Sequence, residues 1–113
     1  MHELSLAVEL VRAAEEAARR ADANRVTAVA VTVGALSGVA EDALRFAFDV
    51  AAAGTLLAGA RLDVRPVPVT VRCPRCGDVP LPGVQLFRCP VCDTPTADVR
   101  AGRELELESI EVE

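Results

Sequence analysis

Four cysteines fall in two pairs, Cys73-Pro-Arg-Cys76-Gly77 and Cys89-Pro-Val-Cys92-Asp93, and they are all the cysteines the chain has. The resulting pattern, C-x2-C-x12-C-x2-C, limits what the segment around it can become. A two-residue spacer lets one tight turn present two sulfurs to a single ion, and Zn2+ prefers four tetrahedral thiolates about 2.3 Å away. The residue after each pair is expected to need a left-handed backbone. Gly77 takes it freely, and Asp93 tolerates it better than a branched residue would. About 30 residues bury too little apolar surface to fold alone, so a metal would supply most of the stability of such a module.

Other uses of the four thiols fit less well. Disulfides belong to oxidising compartments, and the start of the chain lacks the basic region and apolar core of a secretory signal. A thioredoxin-like redox site needs only one C-x-x-C and a different surrounding fold. A rubredoxin-type iron site shares the spacing but packs aromatics around the iron, and this chain has no Trp or Tyr. Spacing and ligand preference favour structural zinc at Cys73, Cys76, Cys89 and Cys92. A closed set of four thiolates leaves no open position for catalysis.

Composition narrows the function further. The chain has 113 residues, the size of one compact domain. All 12 basic residues are arginine, which excludes a P-loop lysine, a Schiff base and a lysine nucleophile. The one histidine is His2, so a Ser-His-Asp or Cys-His pair would have to recruit the chain start. A net charge of −5 and three Phe as the sole aromatics argue against nucleic acid as a general partner. Arg72, Arg75 and Arg88 flank the cysteines and are expected to offset the negative charge of a loaded thiolate site. Many zinc ribbons bind nucleic acid, so a zinc-ribbon nucleic-acid or protein-interaction module is the main alternative reading. No apolar run approaches the ~20 residues of a membrane span, and the default expectation is a soluble cytoplasmic protein that is not an enzyme.

The remaining sequence reads as alternating helices and strands. Residues 5–21 form an amphipathic helix with Leu6, Leu10, Ala13 and Ala17 at helical spacing, Val11, Ala14 and Ala18 widening the stripe, and Ser5 as N-cap. Asp22-Ala-Asn24 ends it. Val26–Val33 is a strand whose Ala28, Ala30 and Thr32 face is small enough for close helix packing. Gly34-Ala-Leu-Ser-Gly38 is a loop. A second helix over Val39–Ala53 buries Leu44, Ala47, Phe48 and Ala51, and Gly54 closes it. The next strand is expected to run parallel to the first.

Two long strands then bracket the cysteines. In Ala60–Arg72, Leu62 and Val64 alternate in one phase and Val67, Val69 and Val71 in the other. In Glu104–Glu113, Leu105 and Leu107 give way to Ile110 and Val112. Each slip requires a bulge or a change of sheet. Pro66 and Pro68 suit an edge or bulge. These strands are expected to pair with each other and carry the cysteine segment as an outlying module.

The chain start carries a second ligand set. The Met1 amine and His2 amide nitrogen close a five-membered chelate, His2 Nδ1 closes a six-membered ring with the same amide, and the Glu3 amide or carboxylate approaches the fourth place. Planar nitrogen donors suit Ni2+ and Cu2+. Such a site weakens as pH falls through the histidine range near 6.5.

Met1-His2-Glu3-Leu4-Ser5-Leu6, the Gly34–Gly38 loop, Ala43-Leu-Arg-Phe-Ala-Phe48, the four cysteines and the closing strand through Ser109-Ile110-Glu111 resemble the HypA/HybF family of hydrogenase maturation factors along the whole chain. The resemblance implies a nickel metallochaperone. Nickel would sit at His2 and Glu3, with the Met1 amine, and zinc at the four cysteines. The partners it implies are a maturation GTPase and the precursor of the nickel–iron hydrogenase large subunit, and for some members urease maturation proteins. The implied fold is α+β, two helices packed on a small mixed β-sheet, with an inserted zinc-ribbon-like module. Residues 1–71 and 101–113 would form the nickel domain and 72–100 the zinc module. Two positions depart from the family pattern: Ala35 replaces a glutamate of the loop, and Ala40 stands where some members place an acidic residue.

Overall fold

The computed structural model describes residues 3–81 and 87–113. The fold is α+β, with two helices and two three-stranded sheets. One compact unit takes in the chain up to Thr32, Gly38–Arg65 and Glu106–Glu113; the other comprises Val33–Ser37 and Pro66–Leu105.

Helix α1 spans Glu3–Arg20. Its buried face is Ala7, Leu10, Val11, Ala14 and Ala18. The stripe is therefore rotated from the expected one: Ala13 is exposed, and Leu6 and Ala17 are half-buried. Helical spacing alone does not distinguish one alanine row from the next, and packing against α2 makes the choice. The expected Ser5 cap is corrected: Ser5 lies inside the first turns and is exposed. The helix ends in a Schellman motif. Ala23 N donates to Ala18 O at 2.9 Å, Asp22 N donates to Arg19 O at 3.1 Å, and Asp22 takes a left-handed φ of 54°.

Strand β1 (Val26–Gly34) leads to helix α2 (Glu41–Ala52), which buries Leu44, Ala47, Phe48 and Ala52. Together with the buried face of α1 and with Val26, Val29 and Val31, these residues supply the apolar core of this unit. Gly54, at φ 77°, follows the Ala53 cap as expected.

Strand β2 (Arg61–Val67) and the final strand β6 (Leu105–Val112) do not pair with each other: the sheet order is β2-β1-β6. The reason is burial. β1 is buried on both faces and takes the centre, while β2 and β6 are much less buried and take the edges. β1 runs parallel to β2, since Val26 bonds Leu56 and Ala35 bonds Val67 in ascending order. It runs antiparallel to β6, with Thr27 bonding Glu111 and Thr32 bonding Glu106. Ala28 and Ala30 do not receive a helix. They line a surface hollow with Arg61, Asp63, Arg65, Ser109, Ile110 and Glu111, so long charged side chains cover that face instead of a helix.

The phase slip after Val64 is a change of sheet. β2 stops at Val67, and β3 (Thr70–Cys73) begins a second sheet of order β4-β3-β5, with β4 at Gly77–Pro80 and β5 at Val99–Ala101. Its core holds Val69, Val71, Cys73, Val79, Leu81 and Cys89, with Leu36, Phe87, Cys92 and Val99 packed against it.

One backbone contact in this unit requires glycine. A Cβ on Gly34 would lie 2.2 Å from Gly102 O, and Gly102 itself has φ 120°. Neither neighbouring atom is the end of a flexible side chain. Gly34→Ala is expected to destabilise the chain by more than about 2 kcal/mol in denaturant unfolding. At Gly38, with φ 78° and open space around it, the same change should cost only about 1 kcal/mol.

Candidate metal centre

The first cysteine pair sits on a β-hairpin. β3 and β4 are antiparallel with Cys73 opposite Gly77, so Pro74, Arg75 and Cys76 form the connecting turn. Gly77, at φ 81°, permits the reversal, and Arg75 N points at Cys73 Sγ at 3.4 Å. The second pair lies on a separate turn. Asp93 N donates to Cys89 O at 2.8 Å, Cys89 N donates to Thr94 O at 2.9 Å, and Asp93 has φ 62°. Both residues after the pairs therefore take the left-handed backbone expected of them. An isolated bridge between Arg88 and Pro95 closes the base of this turn.

The two turns bring the four Sγ atoms within 4.8 Å of one another. Cys73 Sγ and Cys92 Sγ are 3.6 Å apart. A tetrahedral ion with metal–sulfur bonds of about 2.3 Å needs sulfur–sulfur edges of about 3.8 Å, so the spacing fits a four-thiolate zinc site. Cys73 and Cys89 are buried, Cys92 is half-buried and Cys76 is exposed.

The sulfurs are not equivalent as acids. Hydrogen bonds with Cys92 and Cys89 hold the proton on Cys76, pushing its pKa up to about 12. The Thr94 hydroxyl, 3.1 Å from Cys92 Sγ, and the Thr94 backbone bring Cys92 down to about 6. Of these two sulfurs, Cys92 is the more acidic and Cys76 the one that holds its proton. Thr94 was not singled out by the sequence; a hydroxyl two residues beyond the last cysteine, just past a left-handed residue, is the signal for it. Thr96, the buried polar residue among those described, donates to Arg72 O at 2.6 Å and ties the second turn to β3.

Arg72 pairs with Asp78 at 3.6 Å and Arg88 with Asp93 at 3.6 Å, all four side chains being substantially exposed. Exposed pairs of this kind add little to stability.

Of the chain-start ligands, Met1 and His2 lie outside the described residues. Glu3 opens α1, and its Oε2 accepts a hydrogen bond from Ala40 N at 3.3 Å. The structure thus brings Glu3 to the start of α2, 37 residues along the chain.

Comparison with known proteins agrees with this architecture. Residues 1–112 match a family model described as hydrogenase/urease nickel incorporation, metallochaperone, HypA. The chain belongs to the HypA family. Hydrogenase maturation factor HypA of Chloroflexus aurantiacus is 52% identical over 112 residues, covering 98% of each chain. The protein of the same name from Deinococcus radiodurans is 44% identical, covering 95% of this chain and 89% of its own. The solution structure of the nickel metallochaperone HypA from Helicobacter pylori superposes with a TM-score of 0.69 at 24% identity, covering 99% of this chain and 97% of the other, and shares the fold. Among the described residues, no helix is long and apolar enough to cross a membrane.

Metal removal should act locally. A chelator at neutral pH is expected to abolish hydrogen-exchange protection of Val71 and Val79 while leaving Val29 and Val31 protected. The pH dependence has a definite sign. Binding needs four thiolates, so loading displaces the Cys76 proton, and metal affinity falls as pH falls. Release followed with a chromophoric chelator should steepen as pH passes below about 6, where Cys92 also takes up a proton.

Proposed function

We propose that the chain is a nickel metallochaperone that binds Ni2+ at its amino end and delivers it to the precursor of the nickel–iron hydrogenase large subunit. The observation that carries this reading is the match of residues 1–112 to a nickel-incorporation family. Nickel is held by His2, Glu3 and the Met1 amine, in the unit that carries the helices. Zinc is held by Cys73, Cys76, Cys89 and Cys92 as scaffold. The family description names urease beside hydrogenase, so urease maturation proteins are a second destination. A maturation GTPase is the partner that accompanies delivery, and the cytoplasm is where these partners meet the chain. Neither nucleic acid nor membrane enters the proposal.

The physical logic supports transfer over catalysis. Ligation by the amide nitrogen of Glu3 breaks no helical hydrogen bond, because the first N–H groups of a helix lie outside its ladder. The positive end of α1 also eases loss of an amide proton and disfavours a protonated imidazole. An ion held at a chain end by few ligands stays open to a second set of donors, so a target offering thiolates can displace His2. Four thiolates around zinc leave no position for substrate.

An anaerobic nickel titration of zinc-loaded protein with a native amino terminus tests the proposal. One nickel per chain is expected, with affinity falling about tenfold or more in His2→Ala while zinc content is unchanged. Equal nickel binding by both proteins would overturn it.

A further inference from the structure

Helix α2 begins on a residue that cannot cap it. Its N-cap is Ala40, extended at φ −86° and ψ 121°, with no side-chain cap hydrogen bond. Leu44 N donates to Ala40 O at 2.9 Å, which fixes Ala40 as the residue where the ladder starts. Helices commonly satisfy the backbone N–H of this residue with a Glu or Gln at the third helical position, reaching back in a capping box. In α2 that position is Ala43, which has nothing to reach with. The acceptor comes instead from the other helix: Glu3 Oε2 lies 3.3 Å from Ala40 N. A carboxylate there also meets the positive end of the α2 dipole, close to the acidic first-turn residues Glu41 and Asp42.

We infer that Glu3 is a positioning residue whose carboxylate caps α2 from α1, anchoring the chain start while its amide nitrogen remains the group offered to nickel. The inference rests on the chain start being the nickel site. It separates two roles that one residue would otherwise have to combine. A carboxylate spent on Ala40 N fixes where the first turn of α1 lies against the start of α2. The Glu3 amide nitrogen is then presented from a fixed point. The cap needs an acceptor oxygen but no negative charge, whereas ligation by the side chain needs the carboxylate itself.

Glu3→Gln and Glu3→Ala distinguish these uses, because glutamine keeps an acceptor for Ala40 N and alanine does not. In nickel-free, zinc-loaded protein, amide exchange at Ala40 should be unchanged in Glu3→Gln and about tenfold faster in Glu3→Ala. With nickel, Glu3→Gln should bind as the unsubstituted chain does. Glu3→Ala should bind about three- to tenfold more weakly with the same nickel absorption bands, since the donor atoms are unchanged. Unaltered Ala40 exchange in Glu3→Ala overturns the cap. Equal weakening in both variants with shifted absorption bands overturns the positioning role and makes the carboxylate a ligand. A His2→Ala protein that binds nickel like the unsubstituted chain sinks the nickel reading, and the positioning role with it, while the exchange comparison still decides the cap.

Discussion

Gathering four thiols within 4.8 Å is the condition on which the second unit depends. Two of those sulfurs, on Cys73 and Cys89, belong to the same small core as Val69, Val71, Val79 and Leu81. A core of that size contributes little by itself, so the sulfurs are part of what holds the segment together and are not carried on a finished scaffold. The hairpin register, the two left-handed residues and the hydrogen bond from Thr96 to Arg72 all act to bring the same four atoms to one point. Cys76 keeps its proton because Cys92 and Cys89 stand beside it, while Cys92 is made acidic first by Thr94 and only then by the neighbouring sulfurs. Sulfurs this close cannot all be charged without a cation, so one is stabilised as the thiolate and another keeps its proton.

The parts of this arrangement that depend on short-range chemistry were legible in the sequence. Cys73, Cys76, Cys89 and Cys92 meet because two-residue spacers force tight turns, and Gly77 and Asp93 take the backbone that such turns demand. The α2 face of Leu44, Ala47 and Phe48 was equally clear, since large side chains leave one choice. Where the residues are small, the sequence was ambiguous. The α1 stripe settled on Ala7, Val11, Ala14 and Ala18 because alanine marks no side, and Ala28 and Ala30 turned out to lie under arginine and glutamate side chains. The slip in phase after Val64 announced a break, but only the second sheet shows that the chain changes partners there.

Contacts between distant residues were the least legible. Nothing local connects Glu3 with Ala40, or Gly34 with Gly102, yet one is a hydrogen bond across 37 positions and the other an approach that admits no side chain. Both involve backbone atoms on at least one side, and backbone leaves no mark in a pattern of side chains. Ala40 is informative once the fold is known. A helix start without its own cap directs attention to whatever else supplies an acceptor.

The outer strands of the first sheet have a consequence for how the protein behaves among copies of itself. Among the described residues β2 and β6 are the outer strands of their sheet, and an open edge is a template for strand addition. Arg61 and Arg65 on one strand and Glu106, Glu108 and Glu111 on the other line these edges with charge, part of it in ion pairs spanning the sheet. A second copy pairing through the matching edge, β2 on β2 or β6 on β6, would set like charges against each other. Among the described residues, the charge on these two strands therefore opposes self-association through a matching edge without closing off the edge itself.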